Sequence, residues 1–152
     1  MTIAASTSQT TKPAWRGFHH VALVTSDLDA TIAFYRDVLG MEIAAVFPAT
    51  DRNRRHCFIK PGATESWGLH IFERADAKIF PFPEEMQRFV FIPGALQHIA
   101  FALPSLAEAQ LLRERLRSFE VATTEISTIG SIQNMLFRDN NGIVLEATWP
   151  KA

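Results

Sequence analysis

A chain of 152 residues, 47% hydrophobic and 20% charged, is long enough for one domain or two small packed halves with a real core. A formal net charge of −1 gives no electrostatic reason to expect nucleic acid or an anionic membrane as the main partner. No apolar run approaches the roughly 20 residues of a membrane-crossing helix, and the lone Cys57 excludes a disulfide within the chain, which suits a reducing cytoplasm.

Residues 1–16 are rich in Ser, Thr and Ala without a signal-peptide core, and read as a flexible tail. Residues 18–24 form an apolar run of strand length. Ser26 then offers an N-cap, Leu28, Ile32 and Tyr35 recur at helical spacing, and Gly40 stands where a C-cap glycine belongs. Strands are expected at 41–47, 56–60 and 67–73, separated by a polar turn and by Pro61-Gly62. This is βαβββ over residues 17–74. Cys57, between His56 and Phe58, reads as plain core. Arg52, Arg54 and Arg55 read as a solvated hairpin tip rather than an anion site.

Residues 75–95 break the pattern with Pro81, Pro83, Pro93 and Gly94. They read as a connecting segment with a short helix around 84–88. The first pattern then returns over 96–149. A strand is expected at 96–102. Ser105 and Glu108 form a capping-box signature ahead of a helix, and a strand is expected at 121–126. Runs at 132–138 and 143–149 flank Asn140-Asn141-Gly142, a strong hairpin signal.

The repeat is visible residue by residue. Phe18-His19-His20-Val21-Ala22-Leu23-Val24 lies over Leu96-Gln97-His98-Ile99-Ala100-Phe101-Ala102. His70 and Glu146 fall in the last strand of each copy. Strand alternation puts His20, Ala22 and Val24 on one face and His98, Ala100 and Ala102 on another, so each imidazole has a small neighbour. Glu146 lies in the apolar run Ile143-Val144-Leu145-Glu146-Ala147, where an unpartnered carboxylate would cost several kcal/mol. A cation removes that penalty. His20, His70, His98 and Glu146 are therefore the candidate ligands of one divalent metal ion per site, with Zn, Ni, Fe, Mn or Co suited to such donors. His19 and His56 lack repeat support and read as surface or packing residues, with His19 on the face opposite His20.

His20-Val21-Ala22-Leu23-Val24 with Asp27-Leu28, then Phe34-Tyr35-Arg36-Asp37-Val38-Leu39-Gly40-Met41, resembles the opening of the vicinal oxygen chelate superfamily. This is the glyoxalase, bleomycin-resistance and extradiol-dioxygenase group. His98-Ile99-Ala100-Phe101 and the stretch from Phe137 through Asp139-Asn140-Asn141-Gly142 to Glu146 resemble the opening and end of its second module. The resemblance covers roughly residues 17–149. It implies an α+β fold in which two βαβββ modules form a cupped mixed sheet around a metal site.

Three functions are compatible with it. In the glyoxalase and epimerase branch all four positions bind metal and an enediolate or enolate is stabilised. Glu146 is then ligand and base, with His70 as the second candidate catalytic residue, although that branch often has Glu or Gln where His70 stands. In an extradiol-type dioxygenase His20, His98 and Glu146 form the metal triad and His70 is an acid–base residue; no match is evident for that branch's other His and Tyr, Tyr35 being the only tyrosine. In a bleomycin-resistance-like binding protein the cup sequesters a ligand without chemistry. Most aromatics read as core, and a few as lining for an apolar or aromatic small-molecule substrate. A homodimer is expected, with modules paired within one chain or exchanged between two.

Overall fold

The structure, a computed structural model, describes residues 13–14, 17–63, 67–78 and 93–151. The expected tail over 1–16, apart from 13–14, lies outside the described residues, as does the expected short helix at 84–88.

Strand β1 (His20–Thr25) leads into helix α1 (Leu28–Ala33), which continues as a π-helical turn (Phe34–Val38). Its cap is Asp27 rather than the expected Ser26: Asp27 is extended and its Oδ1 accepts from Ala30 N at 2.9 Å. Leu28, Thr31, Phe34, Tyr35 and Val38 make the buried stripe. In the last turn Leu39 N donates to Phe34 O at 3.1 Å, five residues back, and Gly40, at φ +72, turns the chain away. Strands β2 (Glu42–Phe47), β3 (His56–Lys60) and β4 (Gly68–Glu73) follow.

The second set is β5 (Ile99–Ala102), α2 (Leu106–Ser118), β6 (Ser127–Ile129), β7 (Ile132–Arg138) and β8 (Val144–Pro150). Ser105 caps α2, its Oγ accepting from Glu108 N at 3.4 Å. The strand expected at 121–126 is displaced to β6, and within that stretch only Thr123 bridges, to Phe137. The reason is hairpin register. Gly130, at φ +59, and Ser131 form a two-residue loop that pairs Ile129 with Ile132, so the strand must lie next to that loop.

The sheet orders are β1-β4-β3-β2 and β5-β8-β7-β6. In both, the first strand runs parallel to the last and sits at the sheet edge. Ala22 pairs with His70, and Ala100 pairs with Glu146. The sequence repeat is thus a structural one, down to the register of the candidate ligands.

One apolar core spans both sets, with Leu28, Ile59 and Ile71 from the first and Leu116, Phe137 and Trp149 from the second. Each such side chain contributes roughly 1.5–3 kcal/mol by burial. Polar ties join the sets on the α1 side. Tyr35 OH donates to Asp139 Oδ2 at 3.0 Å, Thr25 Oγ1 to Asn141 Oδ1 at 2.8 Å, and Arg115 to the carbonyls of Asp37 and Val38 at 2.6 and 2.7 Å. Burial pushes the Tyr35 phenol well above its ordinary value, helped by the Asp139 charge. Burial likewise raises Asp139, against the N–H and O–H donors it accepts. No helix among the described residues is long and apolar enough to cross a membrane.

Candidate metal centre

Two equivalent places in the fold hold the four candidate ligands in pairs. On the open face of the first sheet, β1 carries His20 and β4 carries His70, their ring centroids 5.4 Å apart at 74°. At the matching place in the second sheet, His98 stands just before β5 and Glu146 is in β8, with His98 Nε2 3.0 Å from Glu146 Oε2. Among the described residues no group of three or more His, Cys, Asp or Glu is arranged to hold a metal ion. The chain therefore brings the four together two by two.

The second pair is the better defined. Gln97 Oε1 lies 2.9 Å from His98 Nδ1, which holds the ring with Nε2 towards Glu146. An imidazole nitrogen and a carboxylate oxygen at 3.0 Å share either a proton or a cation. Two donors bound at right angles with metal–ligand lengths of about 2.0–2.2 Å stand about 3 Å apart, so this spacing suits a metal. The other carboxylate oxygen is held too: Asn134 Nδ2 donates to Glu146 Oε1 at 2.8 Å, and Ser127 Oγ bonds to Asn134 Oδ1. Asn134 and Glu146 are both buried. A cavity of about 420 Å³ on the side of α2 is lined by Leu39, Met41, Phe101, Leu112 and part of Glu146.

The first pair sits in an aromatic layer. Phe58 stacks on His70 at 4.0 Å and 23°, and Phe72 lies against its other side at 4.0 Å. His70 Nε2 is buried and has no hydrogen-bond partner. Burial, then the neighbouring His56 and His20, hold this imidazole below its ordinary value, so it is neutral with a lone pair to offer. A buried orphan nitrogen is what a metal ligand looks like before the ion is counted. Gly68, at φ +69, fixes the approach to His70. A Cβ there would meet the Ile59 carbonyl oxygen and Pro61.

Sequence reasoning missed four side chains. Asn134 and Gln97 orient the Glu146–His98 pair. The only signal for Asn134 is a polar residue that β7 buries, two positions from the Leu136 that pairs with Glu146. His56, expected as a surface or packing residue, shares the face of His70 with centroids 5.1 Å apart. It stacks on Phe47 at 4.8 Å, and its Nδ1 donates to Arg54 O at 2.9 Å. His19, expected on the face opposite His20, instead meets it Nδ1 to Nδ1 at 2.8 Å and stacks on Trp67. Arg55 is no solvated tip: it pairs with Asp29 at 2.6 Å and Glu73 at 3.3 Å. Cys57 is core, as expected, its thiol pushed up to about 11 by burial.

Residues 17–147 match the model of the Glyoxalase/Bleomycin resistance protein/Dioxygenase superfamily. The chain belongs to this superfamily. Among curated proteins it is 27% identical over 114 residues to mouse mitochondrial methylmalonyl-CoA epimerase, covering 72% of this chain and 61% of the relative. The human epimerase is 28% identical over 123 residues, with 76% and 66% covered. The match thus spans about three-fifths to two-thirds of these relatives' length. A glyoxylase/bleomycin resistance protein/dioxygenase domain from Frankia sp. EAN1pec superposes with a TM-score of 0.69 at 23% identity, covering 91% of this chain and 94% of that one. Such a likeness shows the glyoxalase-like fold: an α+β architecture of two modules.

Proposed function

We propose that the chain is a divalent-metal-dependent enzyme of the glyoxalase and epimerase type, performing isomerase, lyase or epimerase chemistry on a small oxygen-bearing substrate. The observation that carries this reading is the pairing of His98 Nε2 with Glu146 Oε2 at 3.0 Å, with both side chains oriented from behind by Gln97 and Asn134. His20, His70, His98 and Glu146 would hold the ion, since a neutral orphan imidazole and a buried carboxylate are the donors such an ion takes. When bound, the ion supplies a Lewis acid that stabilises negative charge on a substrate oxygen.

The chain's own residues supply the rest. Glu146 Oε2 is the candidate proton carrier, because Asn134 engages only the other oxygen. His70, kept neutral by burial, is the second candidate. The relatives named as methylmalonyl-CoA epimerases support a substrate whose acidic C–H lies beside carbonyl oxygens. The aromatic layer around His70 favours, as a second reading, a ring-bearing substrate and the ring-cleaving branch, with His70 as an acid–base group.

The test is wash-in of solvent deuterium at the C–H between the two carbonyl groups of methylmalonyl-CoA, followed by NMR. It uses Ni- or Co-loaded protein and Glu146→Gln. Exchange that Glu146→Gln abolishes supports the proposal. No exchange in the loaded wild-type protein counts against proton transfer on this substrate class.

A further inference from the structure

We infer that Asn141 is a modification site, its side-chain amide lost through attack by the backbone nitrogen of Gly142, and that the docking of the two modules sets the rate of that loss. The inference concerns the β7–β8 turn and is independent of the metal reading.

Three observations carry it. The first is the sequence of the turn. Asn141 is the one asparagine in the chain that a glycine follows. With no side chain at position 142, nothing shields the backbone nitrogen from the Asn141 carboxamide. Once that nitrogen has given up its proton to water, it attacks Cγ of Asn141. The new N–C bond closes a five-membered imide as the Cγ–Nδ2 bond breaks, and Nδ2 takes up a proton and leaves as ammonia. Water then opens the ring at either carbonyl, leaving aspartate or isoaspartate at position 141. Asn140 carries the same amide, but the residue after it is Asn141, whose side chain crowds the attack.

The second is that the folded turn engages the atoms this reaction needs. Gly142 N, the attacking nitrogen, donates to the Asp139 carbonyl at 3.0 Å, with Gly142 at φ +80. Asn141 N and Ile143 N both donate to Asp139 Oδ1, at 2.9 and 2.8 Å. The amide itself is held across the module boundary. Thr25 Oγ1, at the end of β1, donates to Asn141 Oδ1 at 2.8 Å, and Asn141 Nδ2 donates to Thr31 Oγ1 of α1 at 3.2 Å. Thr25 and Thr31 are buried. Attack at Cγ needs the amide free to turn and Gly142 N free to lose its proton, so these bonds must open first. The reaction therefore runs through a local opening of the turn, and its rate follows the open population.

The third is what the product meets. A carboxylate has no N–H to offer Thr31 Oγ1, whose own proton goes to Asp27 O or Thr25 Oγ1, each at 2.9 Å. It also sets a second acidic group beside the buried Asp139. Isoaspartate goes further, adding a backbone carbon to a turn that fixes the Arg138–Val144 pairing and hence the register of β8. The modification thus loosens the module contact that had restrained it, and refolding does not reverse it.

The test is the rate of amide loss, read by mass spectrometry on the tryptic peptide of residues 139–151, with isoaspartate counted by enzymatic methylation. Folded wild type, wild type unfolded in urea and folded Thr31→Val are incubated side by side at mildly alkaline pH. Loss is expected at Asn141 and not at Asn140. It should be about tenfold or more slower in the folded wild type than in urea. Thr31→Val should speed it about 2–10-fold, the shift in opening that one lost hydrogen bond gives. Equal rates in the folded and unfolded wild type overturn the control by docking, and this comparison decides even where the variant does not fold. Thr31→Val that is folded by circular dichroism and loses the amide at the wild-type rate overturns it too. No loss at Asn141 in urea overturns the site itself. Folded protein that has lost the amide, separated by ion exchange, should unfold at a lower urea concentration than intact protein; an unchanged midpoint overturns the loosening of the modules.

Discussion

Asn134 is the residue on which the orientation of Glu146 depends most directly. Replacing it by Ala deletes the donor to Glu146 Oε1, 2.8 Å away, and removes the acceptor of the Ser127 hydroxyl. The site is buried, so water does not simply substitute for the amide. A hydrogen bond to a charged group contributes about 1.5–3 kcal/mol. Groups that orient a metal ligand in this way typically change metal affinity about 10–100-fold. At about 1.4 kcal/mol per tenfold the two figures agree. The expected result for Asn134→Ala is therefore a loss of about 10–100-fold in affinity for Ni or Zn, by competition with a chromophoric chelator. The metal-free protein should lose about 1.5–3 kcal/mol in urea unfolding. An affinity within about twofold of wild type, with the unfolding shift present, would refute the idea that Asn134 serves the metal site rather than only the core.

Gly68→Ala should cost about 2–4 kcal/mol, because alanine is strained at φ +69 and its Cβ runs into the Ile59 carbonyl; calorimetry should show a fall in Tm of about 10 °C. Asp139 predicts a pH effect. Its folded pKa lies above the unfolded value of 3.8, so the unfolded chain ionises first and stability falls as pH rises from about 3.8 through the folded value. Asp139→Asn should remove that contribution, seen as a difference between the two proteins in urea midpoint against pH. Cys57, fully buried with its thiol near 11, should resist a thiol reagent in the native protein and react on unfolding; equal rates in both states would contradict its place in the core.

The repeat was legible because it is written in residues that the register preserves. His20-Val21-Ala22 and His98-Ile99-Ala100 have the same inward–outward alternation, and the structure pairs Ala22 with His70 and Ala100 with Glu146. The Asn141-Gly142 turn and the Ser105 cap act through local chemistry, so short stretches were enough to place them. What the chain did not reveal depends on contacts distant in sequence or on turn geometry. Ser26 and Asp27 are both good caps, and the backbone chose Asp27. The alternation of residues 121–126 looked like a strand, but the Gly130–Ser131 loop moved the pairing to Ser127–Ile129. Asn134 and Gln97 have no motif, and their role appears only when Glu146 and His98 stand beside them. His56 has no repeat partner in the sequence, and only the β3–β4 register sets it diagonally across from His70.

The most direct measurement of the central claim is the metal content of the purified wild-type protein after loading with Ni, Zn, Mn, Co or Fe(II), run beside His98→Ala. One tightly held ion per chain is expected in the wild type, and its loss in the variant. An ion retained undiminished by His98→Ala, or no ion held by the wild type under any loading, would contradict it.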